Sequence, residues 1–190
     1  MASADTTPRS YFAGFRRGVG RWAAGGALIA GLVAGSGCAK VPPPPGGNAT
    51  PEKVWLAIQP LAARYRMDAA FIYAIVAAES GFDGRARKGE ARGLMQLKPG
   101  AWRQVSSEPY EPAVWDWREN LRVGVDYLAW CRSHLHQRRK FSYPLLLGAF
   151  HYGMDFVEAR GFEPGNIPVP TNPVYRELWA GKLAPVPPPK

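Results

Sequence analysis

One carboxylate in this sequence stands where it could do acid–base work. Glu79 closes the run Phe71-Ile72-Tyr73-Ala74-Ile75-Val76-Ala77-Ala78 and is followed by Ser80-Gly81-Phe82. A helix that is apolar on every face belongs inside a core, so Glu79 falls where a buried helix ends. Burial disfavours the charged form of a carboxyl group, and a general acid working near neutrality needs that bias. Fourteen residues after the glutamate begins Gly93-Leu94-Met95-Gln96, and much later comes Ala149-Phe150-His151-Tyr152-Gly153. His151 brings the side-chain type that ordinarily switches charge near neutrality, although a lone histidine on an apolar helix is more often a hydrogen-bonded core residue. Asp83 and Glu90 lie in the loop between the first two motifs. Nothing in the sequence pairs either with Glu79, and turn formation and solvation account for them first.

The elements that must position these residues are helical. Thr50-Pro51-Glu52 combines a capping hydroxyl, a proline at the first helical position and an acid in the first turn, and Trp55, Ile58, Ala62 and Tyr65 then share one helical face. Asp68 caps the helix that leads to Glu79. The polar, Gly-punctuated stretch 82–92 is a loop beside the site. A short helix starts near Pro99, and a long one runs from about Trp117 to Gln137 with Leu121, Val125, Leu128 and Cys131 at helical spacing. Pro144 opens an apolar helix through Tyr152. Phe156, Val157 and Ala159 give a further turn or two before Gly161. Four prolines exclude regular helix from 164 to 173, and a last helix covers Val174 to about Lys182. No segment alternates as a strand does. The fold class is therefore all-α, or mainly α.

The ends of the 190-residue chain differ from its middle. Residues 9–21 carry four arginines, and Trp22 to Gly35 form a Gly- and Ala-rich apolar stretch of fourteen residues. About twenty are needed to span a bilayer, so 1–37 reads as a secretory signal peptide. Leu32-Val33-Ala34-Gly35-Ser36-Gly37-Cys38 resembles a bacterial lipobox, which implies cleavage before Cys38 and lipidation of that cysteine. Ala39 and Lys40 carry no retention aspartate, which implies an outer-membrane lipoprotein facing the periplasm, within the bacterial cell envelope. Arg16-Arg17 leaves a twin-arginine export route open beside the general one. Residues 38–50 are a Pro- and Gly-rich linker, residues 51–183 the catalytic domain, and residues 184–190 a Pro-rich tail.

The formal charge is +9; residues 1–37 contribute +3 (four Arg against Asp5), leaving +6 for the rest. That surface is compatible with an anionic polymer, but no nucleic-acid motif accompanies it, and Arg132, Arg138, Arg139 and Lys140 read as a solvated face. Two cysteines make no disulfide framework. Cys131 reads as a core residue rather than a nucleophile. No metal site and no cofactor are expected, and the domain is expected to be a monomer.

Taken together, the motifs are similar to those of the lytic transglycosylases of the soluble-lytic-transglycosylase type, relatives of goose-type lysozyme. They are Glu79-Ser80-Gly81-Phe82; Ala91-Arg92-Gly93-Leu94-Met95-Gln96-Leu97-Lys98-Pro99; Asn120-Leu121 with Gly124 and Tyr127-Leu128; Ala149 to Gly153; and Ile167-Pro168 with Tyr175. The resemblance spans about residues 52–183. It implies a lysozyme-like helical fold, peptidoglycan glycan strands as partner, and cleavage of the MurNAc-β-1,4-GlcNAc bond by a glycan-cleaving lyase. It further implies that Glu79 is the single acid/base and that the product ends in 1,6-anhydro-MurNAc. Glycosidases otherwise need two carboxylates; one suffices when the sugar's own C6 hydroxyl and N-acetyl group do the work of the second. The resemblance places Ser80 near the N-acetyl region or the catalytic carboxyl, lets Gly93 bring backbone close to the saccharide, and makes Gln96 a cleft-lining amide. Met95 either floors the cleft or packs in the core.

The chain also departs from the family pattern. Where Ala-Tyr-Asn-Ala-Gly is usual, it has Ala149-Phe150-His151-Tyr152-Gly153. Phe150 keeps the ring without the hydroxyl and His151 replaces an amide; either Tyr152 or Tyr175 supplies a hydroxyl near the acid, or Glu79 is less polarised and the enzyme slower. Lys88 and Glu90 stand where Ser and Gly are usual, in a loop about one residue short. Of Trp102, Trp115, Trp117 and Trp130, most are expected in the core and one or two at most in the cleft. Two alternatives remain: a lysozyme-type hydrolase using a water held by Asp83 or His151, and a peptidoglycan-binding scaffold weakened in catalysis.

Overall fold

A computed structural model describes residues 48–190. The signal segment 1–37, Cys38 and most of the linker lie outside the described residues.

The chain folds as α1 (Pro51–Tyr65), α2 (Ala69–Ser80), a pair of two-residue strands β1 (Arg87–Lys88) and β2 (Ala91–Arg92), α3 (Pro99–Val105), α4 (Tyr110–Ala113), α5 (Trp117–Gln137), α6 (Tyr143–Tyr152), α7 (Met154–Glu158) and α8 (Pro173–Trp179). A 3-10 turn, Pro164–Asn166, interrupts the proline-rich stretch before α8. The mainly helical expectation holds, with boundaries within a few residues. Two elements were not foreseen. The strands pair antiparallel, Arg87 with Arg92 and Lys88 with Ala91, and two-residue strands are too short to show alternation. In α4, Glu111 has extended backbone (φ −100°, ψ 133°), so no helical period could develop. No helix among the described residues is long and apolar enough to cross a membrane.

Local chemistry sets the helix ends. Thr50 Oγ1 accepts the Lys53 N–H at 3.3 Å, and Asp68 Oδ1 accepts the Ala70 N–H at 2.7 Å. Each satisfies an N–H that the first helical turn leaves unpaired. α2 stops at Gly81, whose left-handed conformation (φ 60°, ψ 32°) lets its N–H reach Ala77 O.

Packing then fixes the arrangement. Phe71, Ile72, Tyr73, Ala74, Ile75 and Val76 of α2 are all buried, each large apolar side chain contributing about 1.5–3 kcal/mol. α2 lies against α1 and α8, α5 against α1, α3 and α6, and α6 against α7 and α8. The central helix thereby delivers Glu79 to a junction of α2, α6 and α8. Cys131 is buried in this core, where desolvation pushes its thiol up to about 12. Leu183 and Val186 pack on the core, so the start of the Pro-rich tail is laid along the domain.

Candidate active site

Glu79 sits in the last turn of α2, with its side chain only 10% exposed. Its Oε1 accepts a hydrogen bond from the Tyr175 hydroxyl, and His151 Nδ1 lies 3.2 Å from the same oxygen. Oε2 has no hydrogen-bond partner among the described residues. It is not sealed off either: the fully buried side-chain atoms without partners are Trp117 Nε1 and His134 Nε2. Two groups converge on one oxygen while the other stays open. With Nδ1 carrying its proton, both act as donors to Oε1, and a proton on the carboxyl group resides on Oε2.

Tyr175 is suited to that role. It is buried on α8, and its hydroxyl is pushed well above the usual tyrosine range, first by desolvation and then by the charge and hydrogen bond of Glu79. It therefore stays a donor at any working pH. Its position is set by Asn172, which the sequence reading passed over as part of a proline-rich segment. Asn172 Oδ1 accepts the N–H of Val174 at 2.8 Å and of Tyr175 at 3.4 Å, capping α8, while Nδ2 donates to Ala78 O at 3.2 Å. One side chain thus ties the start of α8 to the residue preceding Glu79.

His151 is held between two rings, edge-on to Tyr152 (centroids 4.7 Å apart) and to Tyr175 (5.0 Å). From His151 a cleft of about 360 Å³ runs past Tyr127, Phe150, Tyr152 and Gly153 on one side and Gln96, Leu97, Lys98 and Arg103 on the other, with Glu90 also in its lining. Of the two tyrosines left open as the source of the hydroxyl, Tyr175 makes the contact to Glu79, and Tyr152 lines the cleft. None of the four tryptophans lines it; Trp102, Trp115 and Trp117 are buried, and Trp130 stacks on Tyr127 at 5.7 Å.

The remaining expected site residues hold the shape around this centre. Ser80 Oγ donates to Val76 O at 3.4 Å, a bond back into its own helix. Gly93 has φ 77°, and a Cβ there would lie 2.3 Å from Asn120 Nδ2 and 2.8 Å from Val114 O. Glycine is therefore demanded by Asn120 packing behind it. Asn120 is fully buried; its Oδ1 accepts the Met95 N–H at 2.8 Å, and Nδ2 donates to Arg92 O and Val114 O at 3.1 Å each. Met95 has no exposed surface and packs against Gly124, where a Cβ would come within 2.3 Å of its sulfur. Of the two roles open to it, core packing is the one the structure displays. Gln96, in the cleft lining, directs its amide N–H groups at Ala86 O (2.9 Å) and Gly93 O (2.8 Å). Asp83 Oδ1 accepts the Arg85 N–H at 2.8 Å in its own turn.

Residues 57–161 match the transglycosylase SLT domain family. The chain belongs to that family. The SLT domain is a lytic transglycosylase acting on peptidoglycan, and the eight helices among the described residues are consistent with its lysozyme-like fold. The matched stretch takes in Glu79, Gln96, Asn120 and His151 but ends before Asn172 and Tyr175. The contacts that fix Glu79 from α8 therefore lie outside the matched stretch; the sequence offers Tyr175 as one of two candidates for the hydroxyl, and nothing in it points to Asn172.

Proposed function

We propose that this SLT domain cleaves the MurNAc-β-1,4-GlcNAc bond with Glu79 as its single general acid/base, releasing a 1,6-anhydro-MurNAc end. The observation that carries the reading is the asymmetry of the carboxyl group, with Tyr175 and His151 on Oε1 and Oε2 open. No second carboxylate bonds to this cluster among the described residues. In the first half, Oε2 gives its proton to the glycosidic oxygen as the bond to the muramyl C1 breaks, and the GlcNAc side leaves with a new hydroxyl. The N-acetyl carbonyl oxygen of the muramyl residue covers the electron-poor C1. Glu79 is now a carboxylate, stabilised at Oε1 by its two donors. In the second half, the muramyl C6 hydroxyl attacks C1, closing the anhydro ring and restoring the N-acetyl group, and its proton passes to Oε2. No water is consumed. General acid–base catalysis of this kind is worth roughly 10²–10⁴-fold in rate.

Mass spectrometry of products from purified sacculi tests the reading. Anhydro-terminated muropeptides are expected; reducing termini would instead mean that a water, held by His151 or Asp83, had replaced the C6 hydroxyl.

We also propose that the domain is delivered to peptidoglycan as an outer-membrane lipoprotein through Cys38, on the strength of the basic and apolar segment 9–35 and the small residues before the cysteine. Cys38→Ala is expected to move the protein from the membrane to the soluble fraction; retention in the membrane would argue against the anchor.

A further inference from the structure

The cleft that reaches His151 is chemically two-sided. Tyr127 on α5 and Phe150 and Tyr152 on α6 provide rings, surfaces of the kind on which pyranose faces stack. Lys98, which precedes α3, and Arg103 within it provide positive charge. Both are exposed, and neither side chain has an ion pair or hydrogen bond with any described residue. Elsewhere Arg122, Arg138, Lys140 and Lys182 each pair with a carboxylate. The one acidic residue in the lining, Glu90, leaves the cleft with two cations against one anion.

We propose that Lys98 and Arg103 form a subsite for the carboxylates of the peptide borne by the muramyl residue. The inference rests on the reading of the cleft as a peptidoglycan site, and it names which part of that polymer the charged wall takes. The disaccharide repeat is itself uncharged once the lactyl group is amide-linked, so the strand's negative charge resides on its peptides. Rings then hold the sugars, and cations on long side chains hold a mobile acidic branch. Arg103 offers a planar fork that matches a carboxylate, and Lys98 a point charge on a flexible stem. Because both are exposed, they confer preference rather than tight binding, and salt weakens it.

The test uses the Glu79→Gln protein, so that strands stay intact, and compares its Kd for labelled glycan strands carrying peptides with free carboxylates with that for the same strands after those carboxylates are capped as amides. Strands with free peptide carboxylates are expected to bind more tightly. The added substitutions Lys98→Gln and Arg103→Gln should cut that preference about ten-fold, roughly the sum of two exposed ion pairs, and Lys98→Glu with Arg103→Glu should cut it further. Lys53→Gln with Arg64→Gln on α1 removes the same charge away from the cleft and should leave the preference in place. An unchanged preference in the Lys98/Arg103 variants, or an equal loss in the α1 control, would overturn the proposal. Failure of the enzymatic reading shows separately, as no cleavage of either strand by the wild type, while the binding ratio still reports on the subsite.

Discussion

Two regions of the domain use their polar residues in opposite ways. On the α2–α8 side, the buried Tyr175 and the half-buried Asn172 direct hydrogen bonds at Glu79, a partly open carboxyl group, and at the carbonyl of Ala78 beside it. On the β2–α5 side, Asn120 directs its bonds inward, to Met95, Arg92 and Val114, and Gly93 and Gly124 are small because Asn120 and Met95 fill the space a Cβ would need. Motifs that look equally chemical in sequence thus divide into those that converge on Glu79 and those that pack the interior. A substitution on the first side should cost activity at little cost in stability, and one on the second side the reverse.

The sharpest test of that division is Asn120→Ala. It strands the Met95 N–H and the Val114 carbonyl, while Arg92 O keeps the Leu97 N–H at 3.0 Å; each unsatisfied group costs about 1–3 kcal/mol, so a loss of roughly 2–6 kcal/mol should appear as a lowered denaturation midpoint. Retained stability would break the comparison. Tyr175→Phe should do the opposite. It removes one donor to a charged acceptor, and kcat should fall by about 10-fold to 10²-fold with a small change in Tm; a large Tm loss would place Tyr175 with the scaffold. The smallest effect is expected at Asn172→Ala. Loss of the α8 cap should cost about 1 kcal/mol, with a several-fold drop in kcat that is not additive with Tyr175→Phe. Full additivity would mean that Asn172 does not act through Tyr175.

Much of this was legible in the sequence because its signals are local. Thr50, Asp68 and Gly161 mark helix ends by their own chemistry, and the apolar run 71–78 announced both a buried helix and the unusual place of Glu79. The strands at 87–92 escaped because two residues carry no period, and α4 because Glu111 breaks its geometry. At the site, the choice between Tyr152 and Tyr175 stayed open because the deciding contact joins residues 96 positions apart. Asn172 was hidden for the same reason, its partner Ala78 lying 94 residues away. Gly93 was legible as a special position but not for the right neighbour, since Asn120 reaches it only through the packing of α5. Met95 could not be assigned without knowing that Gly124 opens a slot for its sulfur.

The central claim is that one carboxyl group, Glu79, does both proton transfers. The most direct test is the turnover of purified sacculi by wild type and Glu79→Gln side by side, with products identified by mass. The account predicts anhydro-terminated products from the wild type and a loss of about 10²-fold to 10⁴-fold in the variant, whose amide cannot donate and recover the proton. Turnover by Glu79→Gln at the wild-type rate would contradict it.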